Sequence, residues 1–255
     1  MTASKPYSAI RDLLIAHASD VHVDNDYTAR LFGGDGTGGL QAVLAAAASA
    51  GADVVLLAGD TFDSHRQLES VIERAAAVIR EFALPIVVLP GNHDPAVDEA
   101  VYHRPALAKL DNLSVLGVTH NCAVHMPEFD LEVWGNAHRD YFDMDPLAEV
   151  LARRVRWHVA MAHGHYVPEP DRSTNARPSW LFGDEDIRST GADYLALGHW
   201  NRRVQVGCGA VTAWYSGSPD YARSINMVRL SGDKPAEVSR VALELPEDFG
   251  AGILD

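Results

Sequence analysis

Cysteine is nearly absent from this 255-residue sequence, and long apolar runs are absent altogether. Cys122 and Cys208 are too few for a disulfide framework and form no C-x-x-C pair, so we expect two free thiols. No uninterrupted apolar stretch approaches the roughly 18 residues that a membrane-spanning helix needs. Segment 1–12 has no apolar run behind a basic start. We therefore expect a cytoplasmic protein without a secretory leader or a membrane partner.

Basic residues are also scarce: 21 Lys and Arg stand against 35 Asp and Glu, which gives a formal net charge of -14. This balance repels polyanions and disfavours long nucleic acid as a partner. Bound metal ions would reverse the local potential without changing the count of charged residues. The net charge alone therefore does not exclude a nuclease.

Short Val-, Ile- and Leu-rich runs alternate with longer segments of helical character, a pattern typical of an α/β fold whose helices cover the sheets. The apolar content of 47% and the length fit one domain, 1–255. The predicted strands are 12–18, 53–58, 86–89, 114–118, 130–134, 157–162 and 194–197, with further strands in 203–244. The predicted helices are 40–50, 68–82, 99–110 and 146–154.

Residues able to bind metal ions follow five of the predicted strands. The segments are Asp20-Val21-His22, Gly59-Asp60-Thr61-Phe62-Asp63, Gly91-Asn92-His93-Asp94, His163-Gly164-His165 and Gly198-His199-Trp200-Asn201. Because the carboxyl ends of parallel strands open onto one crevice, these distant residues can converge there. Imidazole, carboxylate and amide donors together suit Mn, Fe or Zn better than calcium or magnesium. The glycines that begin three of the segments permit sharp turns or close approach of the backbone.

The ordered motifs D-x-H, G-D-x-x-D, G-N-H-D, a later His and G-H-x-N resemble the calcineurin-like metallophosphoesterase superfamily. The resemblance covers most of the chain and implies a metallophosphoesterase-type four-layer αββα sandwich of two mixed sheets flanked by helices. Within the superfamily, the stretches 193–199 (DYLALGH) and 215–219 (YSGSP) are most similar to the catalytic domain of the SbcD-type DNA repair exonucleases.

The resemblance also implies a centre of two divalent metal ions, Mn in the first instance, with Fe or Zn as alternatives. The implied ligands of the first ion are Asp20, His22, Asp60 and, at the position where the family pattern has a second histidine, Asn201. Those of the second are Asp60, Asn92, His163 and His199. His93 would be the general acid or, with Asn92, a substrate-binding residue, and Asp63 would orient His93 through a hydrogen bond.

Several assignments remain open at this point. Asn201 stands where the family pattern has a second histidine, and an amide oxygen is a poorer ligand for Mn or Fe than imidazole. His165 could contact the substrate phosphate or replace His163 as a ligand. Arg139 could reach a phosphate, or it could be a solvated surface residue. Asp94 is interpreted as a solvated or turn-forming residue. The other histidines are interpreted as structural or surface groups.

The sequence thus predicts a metal-dependent phosphoesterase that hydrolyses phosphate esters with a water activated by two metal ions. Three functions are compatible with it. The first is an exonuclease-like phosphodiesterase acting on DNA ends, and the second is a small-molecule phosphomono- or diesterase. The third is a non-catalytic metal-binding scaffold module.

Overall fold

Two six-stranded sheets pack against each other in the computed structural model, which describes residues 12–171 and 180–244. Residues 1–11, on which the expectation of no leader rests, lie outside this part. Its strands are β1 (Leu13–Ala18), β2 (Val54–Ala58), β3 (Ile86–Leu89), β4 (Leu113–Val115), β5 (Ala123–Met126), β6 (Leu131–Gly135), β7 (Trp157–His163), β8 (His165–Tyr166), β9 (Leu181–Phe182), β10 (Tyr194–Gly198), β11 (Val204–Val206), β12 (Thr212–Tyr215), β13 (Ser224–Leu230) and β14 (Glu237–Ala242). Its helices are α1 (Asp26–Leu31), α2 (Gly38–Ser49), α3 (Glu69–Glu81), α4 (Pro105–Ala108) and α5 (Asp184–Ser189).

Both sheets are mixed: antiparallel pairing occurs at one edge of the first sheet and at both edges of the second. The first sheet has the order β14-β13-β1-β2-β3-β4, in which β1 to β4 run parallel. The second has the order β11-β12-β10-β7-β6-β5, in which β12, β10, β7 and β6 run parallel. Every residue of the central strands β2 and β10 is buried, as expected for parallel strands covered on both faces.

Three apolar clusters separate the four layers of the sandwich. Helices α2 and α3 cover the outer face of the first sheet through residues such as Leu44 and Ile72. The inner faces of the two sheets meet through residues such as Ile15 and Leu56, and Ile187 of α5 packs on the outer face of the second sheet. Full burial of each such side chain contributes about 1.5–3 kcal/mol. The predicted α/β sandwich of two mixed sheets flanked by helices is confirmed.

Helices α2 and α3 lie where the sequence predicts helices, at 40–50 and 68–82. Helix α3 buries one face, as the 3.6-residue period requires, through Val71, Ile72, Ala75, Ala76 and Ile79. The predicted strands are also present, with bounds that differ by a few residues. No helix in the described part of the chain is long and apolar enough to span a membrane.

The helix prediction for 99–110 is only partly correct, and that for 146–154 is wrong. In the first segment a 3-10 turn (Val101–His103) and the short α4 are separated at Arg104, which is extended because Pro105 follows it. The second segment is irregular. Its Arg153 donates through both terminal nitrogens to the carboxylate of Asp193 and also to the Gly191 carbonyl. These tertiary contacts override the helical propensity of the segment.

Candidate metal centre

The ends of β1, β2 and β7 bring three of the predicted ligands into one buried cluster. Asp20 and Asp60 follow β1 and β2, and His163 is the last residue of β7. One ligand atom from each residue lies within 4.8 Å of the other two. Because β1 and β2 belong to the first sheet and β7 to the second, the cluster joins the two sheets.

His163 connects this cluster to further predicted ligands. Its Nε2 lies 3.2 Å from Asp60 Oδ2 and 3.0 Å from Asn92 Oδ1. Its Nδ1 lies 3.0 Å from the carbonyl oxygen of Ala58 and donates to it, which leaves Nε2 as the atom that can bind a cation. The ring of His199 lies 5.3 Å from that of His163, centre to centre. The structure thus brings together all four residues predicted for the second ion.

A second group consists of His22, Asp63 and His93, whose ligand atoms also lie within 4.8 Å of one another. The rings of His22 and His93 make an edge contact at 4.8 Å. His22 Nδ1 lies 3.2 Å from Asp63 Oδ1, yet this buried nitrogen forms no hydrogen bond with any described residue. A buried imidazole nitrogen without a hydrogen bond is suited to cation coordination.

Four of the predicted ligands adopt a backbone conformation that residues other than glycine seldom adopt. Asp20, His22, Asp60 and His199 have φ angles of 54°, 48°, 52° and 101°. Each such backbone conformation costs about 1–3 kcal/mol. Residues strained in this way cluster at functional sites, where the surrounding structure imposes the conformation. The Asp20 N–H donates to the Gly59 carbonyl and the His22 N–H to the Asp60 carbonyl, both at 3.0 Å. These bonds hold the two turns against each other.

Gly59 and Gly198 allow the strand ends to approach closely, as the sequence predicts. A Cβ on Gly59, whose φ is +89°, would lie 2.0 Å from His163 Nδ1. A Cβ on Gly198 would lie 1.8 Å from the carbonyl oxygen of Ala58. No side chain fits at either position without displacing the ligand cluster.

Sequence reasoning missed the hydrogen bonds that orient the two buried carboxylates. The Ser19 hydroxyl donates to Asp20 Oδ2 at 2.5 Å, and the His199 N–H donates to the same carboxylate at 3.0 Å. The His93 N–H donates to Asp60 Oδ1 at 2.9 Å. The one available signal was the position of Ser19, a small hydroxyl residue immediately before the predicted ligand.

Asp94 is fully buried, so its interpretation as a solvated residue is wrong, whereas its hydrogen bond with Gly91 fits the turn-forming alternative. Its Oδ1 accepts from the Gly91 N–H at 2.8 Å, while its Oδ2 accepts from the Phe62 N–H at 3.0 Å and the Tyr102 hydroxyl at 2.5 Å. Burial raises the pKa of Asp94, and the charge of Asp60 raises it further. The carboxyl group ties the loop after β3 to the loop after β2.

The charges of Asp20, Asp60 and His163 depend on one another. Burial raises the pKa of Asp20 despite the opposing charge of His163. Burial alone would raise the pKa of Asp60, but the charge and hydrogen bond of His163 outweigh it and lower that pKa. Burial alone would lower the pKa of His163, but mainly Asp60 raises it to about 9. Two buried carboxylates need positive charge, and divalent cations fit this donor set as its source.

Asp63 contacts His93 through its main chain and not through its carboxylate, in contrast to the prediction from the sequence. His93 Nδ1 lies 3.0 Å from the main-chain oxygen of Asp63 and donates to it. The Asp63 carboxylate instead accepts from Asn25 Nδ2 at 3.0 Å and faces His22. The predicted hydrogen bond is thus present, but it comes from the backbone rather than from the acid.

The remaining predicted site residues lie outside the buried cluster. Asn201 is exposed and lines a recess together with His165 and the predicted ligand His199. Arg139 is also exposed, and it lines a separate pocket with Cys122 and Asp145. The structure therefore places Asn201 and His165 beside the cluster and does not bring Arg139 to it.

The histidines interpreted as structural include three that are fully buried: His17, His138 and His158. His17 Nδ1 lies 2.8 Å from the Tyr194 hydroxyl, and burial lowers the pKa of His17 to about 3. His138 Nε2 lies 2.8 Å from the carbonyl oxygen of His163 and donates to it. Burial lowers the pKa of His138 to about 4, so it supports the ligand as a neutral group.

Comparison with known proteins supports the fold and identifies the family. One solved structure covers 91% of this chain and 99% of its own, with a TM-score of 0.58 and 15% identity. The protein TT1561 of Thermus thermophilus has a TM-score of 0.57 and 13% identity, covering 90% of this chain and 99% of its own. Both show a shared fold only. The curated proteins give no match. The family model of the calcineurin-like phosphoesterases matches residues 13–203, so the chain belongs to this family of metal-dependent hydrolases acting on phosphoric ester bonds.

Proposed function

We propose that this enzyme is a phosphodiesterase for small substrates whose centre binds two divalent cations, Mn or alternatively Fe or Zn. In this proposal Asp20, His22, Asp60 and Asn201 hold the first ion, and Asp60, Asn92, His163 and His199 hold the second. The observation that carries it is the buried cluster of Asp20, Asp60 and His163, with ligand atoms within 4.8 Å of one another. Carboxylates shared with imidazole suit a bridged pair of transition-metal ions.

The chain's own residues supply two further parts of the reaction. Two divalent cations held by these ligands would supply the charge that clamps the phosphoryl group and activates a water for in-line attack. The backbone N–H groups of His199 and His93 orient the carboxylates of Asp20 and Asp60. The His93 Nδ1–H donates to the Asp63 carbonyl, so when this exposed imidazole carries a second proton on Nε2, that Nε2–H is available to protonate the oxygen of the leaving alcohol.

The stretches 193–199 and 215–219, which resemble the SbcD-type exonucleases, are weak support for a DNA substrate, because their residues form part of the centre itself. The Tyr215 hydroxyl donates to the Gly164 carbonyl at 2.7 Å, and the Ser216 hydroxyl lies 2.9 Å from that of Ser19. These contacts would serve any substrate of the centre. A net charge of -14 opposes the binding of a long polyanion, so a small phosphodiester is favoured over DNA ends.

Activity of the Mn-loaded protein on bis-p-nitrophenyl phosphate, p-nitrophenyl phosphate and linear DNA tests the proposal. We expect turnover of the diester, slower turnover of the monoester and no loss of DNA. Between 50 and 200 mM salt, diester turnover should change less than about twofold, whereas binding through 6–10 phosphate contacts would weaken by about 1000-fold or more. Asp60→Asn should be inactive, and the exposed Asp98→Asn should match the wild type.

Two results would contradict the proposal. Salt-sensitive degradation of DNA with no turnover of either nitrophenyl ester would establish the exonuclease-like alternative. Absence of turnover on all three substrates, with metal bound, would favour the scaffold alternative.

A further inference from the structure

A recess of about 450 Å³ opens beside the ligand cluster on the side of the second sheet. It is lined by His165, His199, Trp200, Asn201, Arg202 and Tyr221. Its volume falls in the range of sites that hold small organic ligands, about 300–1,000 Å³. The predicted ligand His199 is part of its wall. An organic group attached to a phosphoryl group at the cations can therefore extend directly into the recess.

The recess has a rigid floor. The Trp200 ring stacks on Tyr215, with ring centres 4.5 Å apart and planes tilted by 8°. Trp200 Nε1 donates to His165 Nδ1 at 3.1 Å. Because an indole nitrogen can only donate, His165 Nδ1 must accept, and the neutral imidazole carries its proton on Nε2. His165 therefore offers an N–H donor to an oxygen of a bound substrate.

The rim of the recess carries two planar groups. Tyr221 is 70% exposed, so its phenol ring is open to a ligand in the recess. The exposed Arg202 also lines the recess, and its guanidinium lies 5.9 Å from the Trp200 ring centre. Phenol and guanidinium planes both stack on flat rings, and stacking of a nucleobase on such groups gives about 1–3 kcal/mol.

The position of the proton donor decides which part of a substrate enters the recess. His93 follows β3 of the first sheet and contacts His22, whereas the recess residues follow β7, β10 and β12 of the second sheet. A leaving alcohol that takes a proton from His93 lies on the side of the first sheet. In-line attack places the retained ester oxygen at roughly a right angle to the leaving oxygen, so the group that stays on phosphorus is free to extend toward the recess on the side of the second sheet.

We infer that the recess binds the retained nucleoside of a phosphodiester, and that Tyr221 and Arg202 determine this specificity. The inference rests on the proposed function, because only a diester keeps an organic group on phosphorus after hydrolysis. A nucleoside supplies the flat ring for Tyr221 and Arg202 and acceptor oxygens for the His165 N–H. A monoester leaves the recess empty.

Two substrates with the same leaving group test this inference: thymidine 5′-(p-nitrophenyl phosphate) and methyl p-nitrophenyl phosphate. In the Mn-loaded wild type, the ratio of kcat/KM between them should favour the thymidine ester by about tenfold or more. The ratio should fall toward one in Tyr221→Leu and in Arg202→Leu, and Tyr221→Phe should restore it. The exposed Tyr27→Leu and Arg80→Leu serve as matched controls and should keep the wild-type ratio.

A wild-type ratio near one, or a ratio that persists in the Tyr221 and Arg202 double variant, would overturn the inference while the proposed function stands. If neither ester is hydrolysed, the proposed function fails. The inference is then decided by calorimetric binding of thymidine monophosphate and methyl phosphate to the Mn-loaded protein. At least tenfold tighter thymidine monophosphate binding, lost in Tyr221→Leu, supports it, and equal affinities refute it.

Discussion

Replacement of Asp94 by alanine should destabilise the protein and loosen the loop that carries Asn92 and His93. The substitution leaves three buried donors without an acceptor: the N–H groups of Phe62 and Gly91 and the Tyr102 hydroxyl. Each unpaired donor costs about 1–3 kcal/mol. Burial of the wild-type carboxyl is itself unfavourable and raises its pKa. The net loss of unfolding free energy should therefore lie near the lower limit summed over the three donors, about 3 kcal/mol.

Urea unfolding of the metal-free protein, followed by tryptophan fluorescence, measures this loss. Tyr102→Phe removes one of the three hydrogen bonds and should cost about 1 kcal/mol. Asp98→Ala, at an exposed acid nearby in sequence, should stay within about 0.5 kcal/mol of the wild type. The reasoning is refuted if Asp94→Ala loses less than about 1 kcal/mol, or if Tyr102→Phe costs as much as Asp94→Ala.

Three further predictions concern single histidine and asparagine positions. His93→Ala should keep two equivalents of metal but lower kcat by about 100-fold or more; normal kinetics, or lost metal, would contradict the role of His93. Asn201→His should tighten the weaker Mn site by about tenfold, and an unchanged dialysis isotherm would exclude Asn201 from the site. Burial lowers the pKa of His17 to about 3, below its ordinary 6.5. The contribution of neutral His17 to the free energy of unfolding is therefore complete above pH 6.5 and is lost as the pH falls toward 3. Between pH 7 and 4 the wild type should lose about 3 kcal/mol more unfolding free energy than His17→Gln; parallel curves would contradict this.

The sequence predicts the framework of the site well, because buried parallel strands leave a strong local signature. Runs such as 54–58 and 194–197 are apolar throughout, and each is followed by a glycine and a candidate ligand. Strand ends in a parallel sheet meet at one edge, so Asp60 and His199 could be assigned to one pocket before their distances were known.

Other features depend on contacts that no local pattern records. Asp94 reads as a turn residue, and only the fold supplies the Gly91, Phe62 and Tyr102 donors that bury it. Helix α1 is short and was not predicted, since its capping residue Asn25 lies among other turn-forming residues. The segment 146–154 has helical composition, but Arg153 is bound by Asp193 from a distant part of the chain.

The central claim is that Asp60 joins two cations in one cluster. Metal content after dialysis against Mn, measured by mass spectrometry on the wild type, Asp60→Ala and Asp98→Ala, tests it most directly. We expect about two equivalents in the wild type and in Asp98→Ala, and less than about one in Asp60→Ala, because the Asp60 carboxylate is proposed as a ligand of both ions. A wild type that binds no ion, or an Asp60→Ala variant that retains two, would contradict the claim.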